Sequence, residues 1–237
     1  MSGGWSWARC EATAERLLSA LDWRALGAIY FHDDGEARWQ QLLPRVLTCG
    51  FEQARALLRR VPPGGRSLYV GAGVAELPVL LAERLVRGRA VVATNLRARE
   101  CELLTDGLSS CGLRHELAFE AIDAAAAAPR APYDHLGCVA VFTDPEAWPL
   151  LSGVAYGRIA PVQLDVERFA HERERARGLA ATLFAGLQRP GWITTSVDEV
   201  AWFLEQGQRA GVAVAADGDT VPSAVVGDAI GFLRTGS

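Results

Sequence analysis

Leu68-Tyr69-Val70-Gly71-Ala72-Gly73 is a short apolar run that ends on two glycines one residue apart, and the segment 74–86 that follows is patterned as a helix. A strand that stops on glycines and turns at once into a helix gathers backbone N–H groups and a helix N-terminus at one spot. Such a spot suits a nucleotide-like ligand, because the backbone can be approached closely and the helix dipole favours oxygen-rich groups. Two glycines alone carry little weight; what surrounds them decides the fold.

Downstream, strands and helices alternate. The spacing predicts strands at 67–70, 90–96, 116–122, 136–142 and 192–197. A helix over 74–86 turns Leu77, Leu81 and Leu85 inward, and the next places Cys101, Leu104, Leu108 and Cys111 on one face. The near-continuous apolar run Val139-Ala140-Val141-Phe142 reads as a strand covered on both sides. The alanine run 124–128 is stopped by Pro129 and Pro132, and a long helix over 165–188 by Pro190-Gly191. Ser196 with Glu199 has the spacing of a capping box opening the next helix, which ends near Gly211. Strands at 212–216 and 229–234, separated by the turn Asp217-Gly218-Asp219, close the chain without a convincing helix between them, which implies an antiparallel edge. The expectation is an α/β fold: three layers, a doubly wound and mostly parallel seven-stranded sheet with an antiparallel last strand.

Upstream, residues 1–61 read as a helical N-terminal extension that caps the ligand-bearing edge of the domain 62–237. Ala14, Leu17, Leu18 and Leu21 form one apolar stripe, and Phe51, Ala54, Leu57, Leu58 and Val61 another. Between them lie the loop-like Tyr30-Phe31-His32-Asp33-Asp34-Gly35 and a short stretch from Trp39 to Leu47, and Pro62-Pro63-Gly64-Gly65 marks the boundary. Trp5, Trp7, Trp23 and Trp39 are expected to pack these helices onto the main domain.

Composition narrows the function. Of 237 residues half are hydrophobic and 22% charged, as in a folded soluble protein. The formal charge of −4 gives no general electrostatic reason to bind nucleic acid. Five cysteines, Cys10, Cys49, Cys101, Cys111 and Cys138, without C-x-x-C spacing argue against a disulfide framework or a zinc site. There is no 18-residue apolar run and no signal-peptide core, so no membrane partner and a cytoplasmic location are expected.

Residues 62–237 resemble the class I S-adenosylmethionine-dependent methyltransferases. The resemblance rests on the glycine motif 68–73, Asn95 at the end of the second strand, Ile122-Asp123 after the third, and Thr143-Asp144-Pro145 after the fourth. It implies S-adenosylmethionine as cofactor, with Val70, Gly71, Ala72 and Gly73 under its methionine part, Asn95 and Leu96 at the ribose, and Ile122 and Asp123 at the adenine. Thr143 would border the cofactor, and Asp144 and Pro145 would face the acceptor as the catalytic pair, because Asp144-Pro145-Glu146-Ala147-Trp148 is similar to an Asp/Asn-Pro-Pro-aromatic motif that holds a substrate nitrogen. Two positions depart from the family pattern: Tyr69 stands where Asp or Glu is frequent, and Asn95 where the ribose carboxylate is expected. A dinucleotide-binding reading is disfavoured by Glu76, which occupies the third position of G-x-G-x-x-G.

The implied activity is methyl transfer to a small molecule or peptide, with a homodimer left open. The alternatives are a non-catalytic methyltransferase-like scaffold and transfer of the cofactor's aminocarboxypropyl chain. Single residues also have plain readings: Asp123 as a helix N-cap, Glu76 as a first-turn carboxylate, Asp144-Pro145 as a turn, His32-Asp33-Asp34 as a solvated loop, and His171 on an exposed helix face.

Overall fold

A computed structural model describes residues 6–31, 33–225 and 227–236 of the chain, with the side chain of Pro161 left aside. Trp5 and His32 lie outside the described residues.

Seven strands form one sheet in the order β3-β2-β1-β4-β5-β7-β6. They are β1 (Arg66–Val70), β2 (Ala90–Asn95), β3 (Phe119–Ala121), β4 (Tyr133–Cys138), β5 (Leu187–Ser196), β6 (Val214–Pro222) and β7 (Ala229–Thr235). The first five run parallel, and β7 is antiparallel to both β5 and β6. Strand alternation divides the core into two layers. Leu68, Val70, Leu136, Ile193 and Leu233 pack on one face, while Tyr69, Ala93, Ile230 and Phe232 pack on the other.

The first of those faces is covered by α6 (Ala124–Ala127), α7 (Pro149–Ala155), α8 (Val166–Gly186) and α9 (Val200–Ala210). The opposite face is covered by α4 (Leu77–Leu81), α5 (Ala98–Ser110) and the N-terminal helices α1 (Trp7–Ser19), α2 (Trp23–Tyr30) and α3 (Gly35–Leu58). Both predicted N-terminal stripes are buried, and they share one apolar cluster with Leu77, Leu80 and Leu104. Trp39 is almost wholly buried, its ring centroid 5.5 Å from that of Trp23 and 5.0 Å from that of Tyr30.

Several boundaries differ from expectation. The stretch through Trp39 and the Phe51 stripe form a single helix, α3, with Pro44 inside it. The fourth strand occupies 133–138 rather than 136–142, because Ala140 takes a left-handed φ of 55° that ends the pairing. Helix α8 stops at Gly186, and β5 starts immediately and runs through Pro190-Gly191. Asp217-Gly218-Asp219 is no turn between strands. Gly218, at φ 74°, forms an irregularity inside the one strand β6, whose register with β7 shifts between Ala216 and Thr220. Arg60 reaches over from the end of α3 to hold both Asp217 and Asp219, at 2.6 and 2.9 Å.

Candidate functional site

All parallel strands end on the same edge of the sheet, so the segments after β1, β2, β3 and β4 meet there. The glycine loop leaves β1 at Gly71, whose φ of 67° is a conformation that L side chains rarely adopt. Gly71 is exposed, and a Cβ built on it would meet only a Val141 methyl at 3.5 Å. Ala72 is buried, its N–H donating to the Thr94 carbonyl at 3.0 Å. Val70 packs its side chain into the core below. Gly73 is enclosed: a Cβ there would stand 2.6 Å from both the Tyr30 hydroxyl and Glu100 Oε1. Its N–H donates to Glu76 Oε2 at 2.8 Å, so Glu76 closes the first turn after the loop.

Around Gly73 a polar cluster fills the space between the loop and α2. The Tyr30 hydroxyl donates to Glu100 Oε1, and Asn95 Nδ2 donates to Glu100 Oε2 at 3.1 Å and to the Ala72 carbonyl at 2.9 Å. Asn95 Oδ1 accepts the Arg97 N–H at 2.9 Å, so both ends of the amide are used in tying β2 to the glycine loop. Arg97 lies over the Tyr30 ring at 5.5 Å and reaches Glu146 at 2.9 Å and Asp144 at 3.8 Å. Glu100 has no exposed surface, and burial outweighs its hydrogen bonds and Arg97, pushing its carboxyl up to about 7.

Tyr69, the first departure from the family pattern, points to the other side of the loop's base. Its hydroxyl donates to Glu83 Oε1 at 2.5 Å, and its ring fills the space beside Gly137, where a Cβ would strike it. Glu83 is also bound by Arg89 at 2.7 Å and lies 3.2 Å from His135 Nδ1. Burial raises the Glu83 carboxyl, but His135 and Arg89 outweigh it and bring it to about 2. A tyrosine here completes an interior ion network instead of facing a ligand.

On the outer flank the marked residues are more open. Leu96 is 69% exposed, a large apolar side chain in water beside the loop. Ile122 is half-buried and Asp123 exposed. Asp123 Oδ1 accepts the Ala125 N–H at 2.8 Å, so Asp123 is the N-cap of α6, with Oδ2 not engaged in that bond.

After β4 the chain turns at the left-handed Ala140. The expected capping box at the start of α9 does not form. Ser196 Oγ instead accepts the Ala140 N–H at 2.8 Å, and Glu199 Oε1 accepts from Phe142 N at 2.6 Å, Thr143 N at 3.0 Å and Thr143 Oγ1 at 3.2 Å. Thr143 is thus buried with its hydroxyl directed at Glu199. Glu199 has no exposed surface, and burial raises its carboxyl to about 7 against the pull of these donors. Asp144 Oδ1 accepts the Glu146 N–H at 2.8 Å, and its carbonyl accepts the Trp148 N–H at 2.8 Å, which makes it the turn former that Asp commonly is. Pro145 is exposed.

Sequence reasoning missed Tyr30, Arg97, Glu100 and Glu199 as members of this edge. For Glu100 and Glu199 the signal was a carboxylate in the first turn of a helix that follows a strand, and Tyr30 and Arg97 had none. Among the described residues no three His, Cys, Asp or Glu side chains gather to hold a metal ion, and no helix is long and apolar enough to cross a membrane. A groove of about 600 Å³ between α2 and α3 is lined by Arg24, Phe31, Asp34 and Glu36 among others, and by none of the glycine-loop residues.

No protein-family model matches the sequence, and no curated protein matches it. Among solved structures, the Pyrococcus horikoshii protein PH0793 superposes with a TM-score of 0.51 at 11% identity, over 82% of this chain and 64% of its own. The S-adenosylmethionine-dependent O-methyltransferase TM0748 of Thermotoga maritima gives 0.45 at 14% identity, over 79% of this chain and 64% of its own. Cofactor-bound Rv0187 from MTB gives 0.48 at 15%, over 94% and 89%. At these identities the likeness is one of fold. The chain has a methyltransferase-like α/β fold, a mostly parallel seven-stranded sheet in which β7 runs antiparallel to its neighbours.

Proposed function

We propose that this chain binds S-adenosylmethionine at the carboxyl edge of β1–β4 and transfers its methyl group to a small molecule or peptide. The observation that carries the reading is Gly71, left-handed and exposed at the tip of β1, flanked by the exposed Leu96 after β2 and Asp123 after β3. These residues fit the cofactor in three respects. Gly71 leaves its upper face free for close approach, Leu96 offers an apolar surface to a base, and Asp123 has a carboxylate oxygen outside its cap bond for an exocyclic amine. Asn95 contributes by holding the glycine loop to β2, and its oxygen, which takes the Arg97 N–H on one lone pair, has the other for a ribose hydroxyl.

When bound, S-adenosylmethionine supplies an electrophilic methyl group on a sulfonium. The chain's part is to orient that group toward an acceptor and to exclude water, and the loop 139–145 stands nearest to such a role. A formal charge of −4 supports a small molecule or peptide over nucleic acid as acceptor. The second reading, a partner-binding scaffold, is favoured by one observation: Tyr30 and Glu100 enclose Gly73.

Calorimetric titration with S-adenosylhomocysteine separates the two. The catalytic reading expects saturable binding to the wild type that Gly71→Val abolishes, with the circular dichroism spectrum retained. Absence of binding to the wild type supports the scaffold, and undiminished binding by Gly71→Val removes the glycine loop from the site.

A further inference from the structure

Glu199 is a buried carboxylate whose neighbours are neutral donors, and it holds the loop after β4 rather than its own helix. The chain leaving β4 at Cys138 has to bend away from β5, and it does so through Ala140 at φ 55°, a conformation that costs a non-glycine residue about 1 kcal/mol or more. Such a bend persists only when its surroundings determine it. Two side chains from the end of β5 do so. Ser196 Oγ takes the Ala140 N–H at 2.8 Å, and a single oxygen of Glu199 takes the Phe142 and Thr143 N–H groups and the Thr143 hydroxyl. The other oxygen accepts from the Thr195 hydroxyl at 3.4 Å. A helix start alone needs neither arrangement, because Ser196 and Glu199 have the spacing to cap α9 by themselves and do not.

The bent loop brings its outer side toward the glycine loop. The Val141 methyl stands 3.5 Å from where a Gly71 Cβ would be, and the Asp144 carboxylate is 3.8 Å from Arg97 at the end of β2. We infer that Glu199 and Ser196 are positioning residues, which fix the loop 139–145 so that Val141 and the Asp144-Pro145 turn face the ligand over Gly71. The cofactor side of this inference rests on the function proposed above; the shaping of the loop does not.

The test is residue-resolved amide hydrogen exchange on the full chain, comparing wild type with Ser196→Ala, Glu199→Ala and Glu199→Gln, together with S-adenosylhomocysteine affinity. In Glu199→Ala, exchange at Phe142 and Thr143 rises about tenfold or more, the size of one lost hydrogen bond to a charged group, while β5, β7 and α8 keep their protection. Ser196→Ala does the same at Ala140. Glu199→Gln, which keeps an acceptor oxygen, restores part of the protection, and affinity follows the loop's protection across the series. Unchanged exchange at Phe142 and Thr143 overturns the inference, and so does a rise spread evenly over the sheet, which marks Glu199 as general core support. If the wild type binds no S-adenosylhomocysteine, the cofactor reading fails, and the exchange pattern alone then decides whether Glu199 shapes the loop.

Discussion

The two halves of the sheet's carboxyl edge each contain a fully buried glutamate raised to about 7, and they use it in opposite ways. On the β1–β2 side, Glu100 is held by side chains: the Tyr30 hydroxyl from the N-terminal helices and the Asn95 amide. On the β4–β5 side, Glu199 is held mainly by backbone N–H groups of the loop it faces. A carboxylate gripped by side chains of another element latches that element in place, and the latch releases when one side chain moves. One that collects consecutive N–H groups dictates the path of the chain itself. The first half of the edge is therefore closed by side-chain contacts between α2 and the segment after β2, and the second is shaped from within.

The largest effect that probes this comparison is the dependence of stability on pH. Both carboxyls sit above their ordinary value of 4.5, so the folded state binds protons more tightly than the unfolded one. Their contribution is fully present below about pH 4.5 and is lost as the pH rises through about 7, on the order of 3 kcal/mol for each group. Burial raises Glu76 and Asp228 as well, in the same direction. Glu83, lowered to about 2, acts in a separate window, its contribution being lost as the pH falls from 4.5 toward 2. Urea unfolding is expected to show declining stability from pH 5 to pH 8, and Glu100→Gln and Glu199→Gln should each flatten that slope. A slope left unchanged by either substitution would remove that glutamate from the comparison.

A smaller change sharpens the β1–β2 half. Asn95→Asp removes the donor to the Ala72 carbonyl and sets a second carboxylate beside Glu100, whose oxygen is 3.1 Å from the present amide nitrogen. Although it would restore the acidic residue that methyltransferase-like sheets tend to have there, it is expected to destabilise the fold by about 2–3 kcal/mol at pH 8, and less at pH 5 where Glu100 is protonated. Chemical denaturation of variant and wild type at the two pH values checks this; an equal loss at both would mean that the new carboxylate does not feel Glu100, and no loss at either that the amide's bonds contribute nothing.

The smallest expected effect concerns the β4–β5 half. Ala140→Gly relieves the left-handed strain at a modest entropic cost in the unfolded chain, for a net gain of about 0.5–1 kcal/mol in thermal or urea unfolding. A loss of stability would indicate that the Ala140 methyl, not its backbone, holds the bend.

Much of this architecture was legible in the residues. Alternating strands and amphipathic helices, the glycines after β1 and the helix-free C-terminal strands were sufficient for a mostly parallel seven-stranded sheet and its antiparallel end. What failed was local. Val139-Ala140-Val141-Phe142 has the composition of a strand, but two side chains nearly sixty residues downstream pull it into a bend. Asp217-Gly218-Asp219 has turn composition, yet Arg60 holds it as an irregularity within β6. The site residues divide similarly. Gly71 and Leu96 stand exposed at the edge, whereas Asn95, Thr143 and Asp144 are engaged with their own neighbours. Periodicity reveals which face of an element is buried, not where a single buried carboxylate points, and so the partners of Glu100 and Glu199 were not legible.

The central claim is that the edge of β1–β4 holds S-adenosylmethionine, and hydrogen–deuterium exchange with and without saturating S-adenosylhomocysteine tests it most directly. The account predicts new protection at residues 70–73, 95–97, 122–124 and 140–145, with the groove between α2 and α3 unaffected. No difference on adding the ligand would contradict it, and so would a footprint confined to that groove around Arg24, Phe31 and Glu36.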